Sequence, residues 1–245
     1  LPEGLPDPSP VAGVQSKIAL TRLPDGRFAL PKRGSLAPTT HLLKVPRRGE
    51  EELVDHEHAL MRIAGQVLST PVAQTEILEI EGQRGLLVAR FDRVVQGTEV
   101  RRLHQEDFCQ ALGLPSSLKY ERSSDDSERR FSAARIGRLM PALAVPALDR
   151  NDFRAMPLLN LALGNTDNHA KNHALLYTGG KPRLAPLYDV VPVLVDPRVS
   201  HDFTFSFGNA TNMNMLTLED MHQFEEAVGL RGRGSRAFER RSHEF

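Results

Sequence analysis

Between residues 50 and 68, apolar side chains recur at Leu53, Leu60, Ile63, Ala64 and Val67, the three- and four-residue spacing of a helix with one buried face. Short runs of β-forming residues surround it. Residues 17–23 and 27–31 flank Pro24-Asp25-Gly26, which reads as a hairpin turn; 41–45 is a third strand, and 73–80 and 86–90 are two more around Glu81-Gly82. Beyond Asp92 the pattern changes to helices, at about 104–112, 132–143 and 150–163, with short strands near Leu175 and Leu184 and a last helical pattern over 217–230. This order predicts an α+β fold of two lobes: a small β-rich lobe over 11–90 and a larger, mainly helical one over 91–230. Residues 1–10 hold Pro2, Pro6, Pro8 and Pro10 with Gly4, the composition of an extended linker. Residues 231–245 open with Arg231-Gly232-Arg233-Gly234-Ser235-Arg236 and predict a disordered tail. Residues 121–130 are too polar to pack and predict a solvated loop.

Composition narrows the classes. A chain of 245 residues, 40% of them hydrophobic, can bury a core in two lobes. Lys plus Arg and Asp plus Glu are both 31, so no global field draws the chain to nucleic acid or to an anionic membrane, and direct binding to either is not expected. Cys109 is the only cysteine, which removes disulfide frameworks and thiolate zinc sites and fits a cytoplasmic location. No apolar run approaches the roughly 18 residues of a spanning helix. Leu1-Pro2-Glu3-Gly4 lacks a methionine and a signal-like charge pattern, so residue 1 is not expected to be the native start.

The chemistry is concentrated in Gly164-Asn165-Thr166-Asp167-Asn168-His169-Ala170-Lys171-Asn172 and in Tyr188-Asp189 beyond a short apolar strand. An aspartate, four residues, an asparagine, and then an aspartate past a strand is how protein kinases orient a hydroxyl and hold Mg²⁺ on ATP. Asp167 then accepts the hydroxyl's hydrogen bond, while Asn172 and Asp189 supply the hard oxygens that Mg²⁺ prefers. The same residues also fit an ordinary turn with Asp189 as a cap. A kinase needs more parts, and candidates follow in order. Ala12, Gly13, Val14, Gln15, Ser16 and Lys17 form a small, flexible run whose backbone could cover phosphates. Lys44 and Glu57 could make the ion pair that positions the α- and β-phosphates, although strand-end lysines and helix-surface glutamates are commonly just solvated. Ala89, Arg90, Phe91 and Asp92 end the last small-lobe strand, where a hinge would meet adenine through its backbone and ribose through Asp92; a buried Phe91 and an Arg90–Asp92 surface ion pair is the alternative. His169 and Lys171 sit inside the loop, within reach of phosphate. A zinc role for His169 with His173 lacks a third ligand.

These motifs, in this order, resemble HipA-type serine/threonine kinases, the toxin components of bacterial toxin–antitoxin modules. The likeness rests on residues 12–17, 39–44, 90–93, 167–172 and 184–192, and above all on Gln105-Glu106-Asp107 through Lys119-Tyr120-Glu121, which ordinary kinases and antibiotic phosphotransferases lack. It spans about residues 11–230. The resemblance implies a protein-kinase-like fold, ATP and Mg²⁺ as cofactors, Asp167 as catalytic residue, Asn172 and Asp189 as metal ligands, and Lys44 as the phosphate-contacting lysine. It implies residues 12–17 over ATP, Ala89, Arg90 and Phe91 at the adenine, and His169, Lys171 and Tyr188 at the phosphate end. Family members phosphorylate proteins on serine or threonine, an aminoacyl-tRNA synthetase among them, which halts growth; their partners are small DNA-binding antitoxins. Three departures stand out. The family's autophosphorylated serine before position 11 is replaced by Pro10, with Ser9 one place earlier. The N-terminal subdomain of longer members does not precede residue 11, and the likeness ends where 231–245 begins, as in a fragment or short form. Two other readings therefore stand beside an active protein kinase: an inactive module that binds an antitoxin or regulator, and a small-molecule kinase sharing the catalytic loop.

Overall fold

The computed structural model describes residues 16–32 and 38–230. The expectations for 1–10 and 231–245, and the phosphate-covering roles of Ala12, Gly13, Val14 and Gln15, lie outside the described residues. The first unit is a five-stranded antiparallel sheet in the order β2-β1-β3-β5-β4, built from β1 (Ser16–Arg22), β2 (Phe28–Ala29), β3 (His41–Val45), β4 (Thr75–Ile80) and β5 (Gln83–Ala89). A single helix, α1 (Glu52–Val67), packs against β4 and β5. Its buried residues Val54, Glu57, Met61 and Ala64 fall at helical three- and four-residue intervals on one face. Alternation along the strands divides the sheet. Leu20, Leu43 and Leu87 close a small cluster on one face with Ile18, Val45 and Leu78. The opposite face carries Lys17 directly across from Lys44 in the β1–β3 register, and Lys44 across from Leu86.

The rest of the chain is more helical but less so than its periodicity predicts. A β-hairpin follows Asp92, β6 (Arg93–Gln96) and β7 (Glu99–Arg102), ahead of the first helix that the periodicity predicts. The predicted helix at 104–112 is revised. Residues 104–107 are a strand, β8 (His104–Asp107), and only α2 (Phe108–Ala111) is helical. Two forces divide this segment. β8 pairs with β9 (Ala174–Tyr177), which in turn pairs with β10 (Arg183–Leu184), and Asp107 begins α2 with a reciprocal capping box to Gln110. The cap is local, but the pairing with β9 lies far from what a local period can register. The helices α3 (Ala133–Leu139), α4 (Pro146–Ala162) and α5 (Leu218–Ala227) complete the unit.

Its core is aromatic: Phe108, Phe131, Phe153, Phe203, Phe205, Phe207 and Phe224 are buried together. The 121–130 segment is mostly exposed as expected, yet it forms two 3-10 turns and is anchored at Glu121, whose carboxylate accepts from Ser206 N at 2.5 Å. A second apolar cluster joins the two units, with Met61, Ala64 and Ala73 on one side and Met156, Leu187 and Val190 on the other. There the backbone also crosses, since Ala73 N donates to Leu187 O at 2.8 Å and Leu187 N to Pro71 O at 2.9 Å. No helix among the described residues is long and apolar enough to cross a membrane.

Candidate active site

The loop between α4 and β9 is held from behind. Gly164, at φ +78°, ends the helix in the left-handed conformation that only glycine adopts without strain. Asn165 then donates to the buried Asn160 side chain at 2.7 Å and to the Asp189 carbonyl at 3.3 Å, while Asn165 N bonds Asn160 O. One side chain thus ties the helix end, the loop and the segment bearing Asp189. Asp167 accepts from His169 N through its backbone carbonyl, and a 3-10 turn, Ala170–Asn172, brings Asn172 round to face Asp189.

Four side chains converge here from four segments of the chain. Lys44 of β3 is 8% exposed; its ammonium reaches Glu57 Oε1 of α1 at 2.5 Å and contacts Asp189 Oδ1. The other Asp189 oxygen accepts from Asn172 Nδ2 at 2.7 Å. Burial works against charge at Lys44, but the two carboxylates outweigh it and hold the amine cationic, above its ordinary range. Burial likewise disfavours the Asp189 carboxylate, and Lys44 and Lys17 override it, holding the group well below the usual range. Glu57 is pushed upward by burial, with Lys44 opposing. Lys17 is lowered by burial while Asp189 acts to raise it, which places it beside the same cluster. Asp189 also sits at φ +64°, an uncommon and costly conformation for a side-chain-bearing residue that is retained where the surroundings over-determine it.

This centre fits a divalent cation. Asn172 Oδ1 is buried with no hydrogen-bond partner, and Asp189 is still 33% exposed at its side chain, so a neutral oxygen and a charged one lie side by side. Both are hard donors. Among the described residues no group of three or more His, Cys, Asp and Glu side chains is poised to hold a metal.

The remaining candidates divide. Ser16 begins β1 in an exposed position. Tyr188 donates its hydroxyl to Lys171 O at 2.7 Å and packs against Phe91, with ring centroids 5.5 Å apart. Lys171 pairs with Asp107 at 2.5 Å, so its charge is already matched. His169 is lowered by burial, with Asp167 opposing. In the hinge, Ala89 N and Arg90 N are spent on Gln74 O and Thr40 O. Asp92, expected to meet the ribose, is instead bound by Arg90 at 2.8 Å and by Arg93 at 2.6 Å; the alternative ion pair is the one present, and it is buried rather than on the surface.

Several residues that shape this site were not among the candidates. Asn160 carries no signal beyond being polar in an apolar stretch, and Asn165 lies in the loop motif without a role assigned to it. Asp107 and Gln105 lie on one face of β8, and Gln105 Oε1 is buried without a partner. Tyr120 meets His169 edge-on, with ring centroids 5.5 Å apart, and burial first and the Asp167 carboxylate second push its hydroxyl up to about 12.

Comparison with known proteins gives the arrangement its relatives. A family model described as "HipA-like C-terminal domain" matches residues 9–244, running past residue 230 where the motifs stop. The chain is 34% identical over 221 residues to "Putative kinase Y4mE" of Sinorhizobium fredii, covering 90% of this chain and 51% of that one. It is 30% identical over 228 residues to the serine/threonine-protein kinase toxin HipA of Shewanella oneidensis, again 90% and 51%. A solved structure of the Shewanella oneidensis HipA, HipB and operator DNA complex superposes with a TM-score of 0.79 at 30% identity, over 93% of this chain and 54% of that one. The chain thus spans about half the length of the curated relatives it matches.

Proposed function

The chain belongs to the HipA-like C-terminal domain family and has its two-lobed, protein-kinase-like fold, and from that premise we propose that it transfers the γ-phosphoryl group of ATP, with Mg²⁺, to a serine or threonine hydroxyl of a protein. One observation carries the reading: Lys44 from the sheet meets both Glu57 and Asp189, and Asp189 meets Asn172, whose oxygen is otherwise orphaned. Bound Mg-ATP supplies the transferable phosphoryl group and a divalent charge on its oxygens. Lys44, fixed by Glu57, offers a positive charge where phosphate oxygens would lie. Asn172 Oδ1 and Asp189 are the residues that would hold the metal. Asp167, at the open end of the loop, accepts the hydrogen bond of the acceptor hydroxyl and so fixes its line of approach. Ala89, Arg90, Phe91 and Asp92 border the purine end, where Phe91 and Tyr188 form an apolar wall.

The named relatives support a toxin role with an antitoxin partner, since the Shewanella complex contains HipA, HipB and operator DNA. The deciding measurement is label transfer from γ-labelled ATP into lysate protein by wild type and Asp167→Asn. Loss of the carboxylate should lower transfer by roughly 10²- to 10⁴-fold; equal incorporation by both proteins overturns the assignment. Nucleotide binding without transfer by wild type would instead favour the inactive binding module, and label found only on a metabolite the small-molecule kinase.

A further inference from the structure

A small cavity lies where the loop between α4 and β9 meets α4 and the 203–207 segment. Pro157 and Leu161 line it from α4, Phe203 and Thr204 from the 203–207 segment, and Thr166 and Asn168 from the loop. It gives the centre of a water molecule about 10 Å³ to occupy, which is about what a single water needs. Part of its wall is polar. Thr166 is 2% exposed and Asn168 5%, and Thr166 Oγ1 and Asn168 Nδ2 are buried with no hydrogen-bond partner among the described residues. Thr204 Oγ1 donates to Asn168 O at 2.7 Å, which leaves its oxygen able to accept. Both neighbours of Asp167 thus line the cavity and each carries an unpaired polar atom, while Asp167 is not among the lining residues.

We propose that this cavity is the binding site of one structural water, which accepts from Asn168 Nδ2, donates to Thr204 Oγ1 and hydrogen-bonds Thr166 Oγ1. Burying polar groups without partners is costly, and a bridging water serves nearly as well as a direct bond. The chemistry selects water. A cation is disfavoured by the amide N–H of Asn168, and an anion finds no cationic side chain among the described lining residues. Resting on the kinase reading, the water also makes Thr166 and Asn168 positioning residues. It ties the residue before Asp167 to the residue after it, and both to Thr204, so the loop presents the carboxylate in one setting. Misplacement by about an ångström can cost on the order of 100-fold in rate.

A high-resolution crystal structure of the wild type reads the site directly. One water-sized peak of density within hydrogen-bond distance of Thr166 Oγ1 and Asn168 Nδ2 is expected, and a cavity without density overturns the proposal. In solution, magnetic relaxation dispersion of the water oxygen counts long-held waters. Thr166→Val keeps the shape of the side chain and removes its hydroxyl, so it should hold one water fewer than wild type, while Thr166→Ser should hold the same number. Equal counts in wild type and Thr166→Val overturn the bridge. Label transfer from γ-labelled ATP to a pooled library of serine- and threonine-containing peptides then tests the positioning. Thr166→Val should lower kcat by roughly 10-fold with the KM for Mg-ATP hardly moved, and Thr166→Ser should recover most of the rate. A wild-type kcat in Thr166→Val, or a loss confined to KM, ends the positioning role. If the wild type transfers no label, the kinase reading fails instead, and the water count, which needs no activity, still decides the site.

Discussion

His173 shows how one residue can be structural despite standing one place beyond the metal-side asparagine. It is 2% exposed, ringed by Phe108, Phe131 and Phe153, and neither ring nitrogen has a hydrogen-bond partner. Burial first, and His169 second, drop its pKa from 6.5 to about 3. A base with a folded value below its unfolded value binds fewer protons folded than unfolded. Its stabilising contribution is therefore complete above about pH 6.5 and is lost progressively as pH falls toward 3. His173→Leu should flatten the fall in melting temperature between about pH 6.5 and 4, leaving the smaller slope from His41 and His169, which burial also lowers. A scan across that range in both proteins checks it, and an unchanged slope would assign the acid sensitivity elsewhere. The loop's own chemistry was legible at this scale because Asp167 and Asn172 are five positions apart and a single turn brings the asparagine round. Tyr120, 47 positions from Asp167, was legible only as part of a family motif.

At the scale of elements, the contact between α3 and α5 depends on a missing side chain. A Cβ built on Gly137 would stand 1.9 Å from Ala227 O and 3.1 Å from Val228 Cα, both backbone atoms that cannot rotate away. Gly137→Ala should therefore destabilise the protein by at least the roughly 1–3 kcal/mol typical of overpacking, although alanine is the better helix former. Urea unfolding measures this, and a stabilised variant would show that α5 is free to move. Periodicity located α1, α4 and α5 because each buries one face. It failed at β8, whose polar residues are extended because β9 lies beside them, and at the β6–β7 hairpin, whose exposed strands carry no apolar face to detect.

Across the whole molecule, the site exists only where the two units meet. Lys44 and Glu57 come from the sheet and its helix, Asn172 and Asp189 from the other unit, and the shared cluster of Met61, Ala64, Ala73, Met156, Leu187 and Val190 keeps them in register. Met156→Ala at the centre of that cluster should cost about 2–5 kcal/mol in stability. It should also weaken Mg-ATP binding, because the cavity lies between α1, which carries Glu57, and the segment around Leu187 and Val190 that carries Asp189; calorimetry beside urea unfolding separates the two losses. Normal nucleotide affinity in the destabilised variant would show that the lobes are aligned by other contacts. Local patterns supplied the spacing of the candidate catalytic groups, the sheet-and-helix order and the balance of charge, since those depend on neighbours within a few residues. Tertiary structure alone decided which oxygens are orphaned, that Asp92 is consumed by two arginines, and that Lys171 is matched by Asp107. Each of these turns on desolvation and on partners tens of residues away, quantities that no local pattern contains.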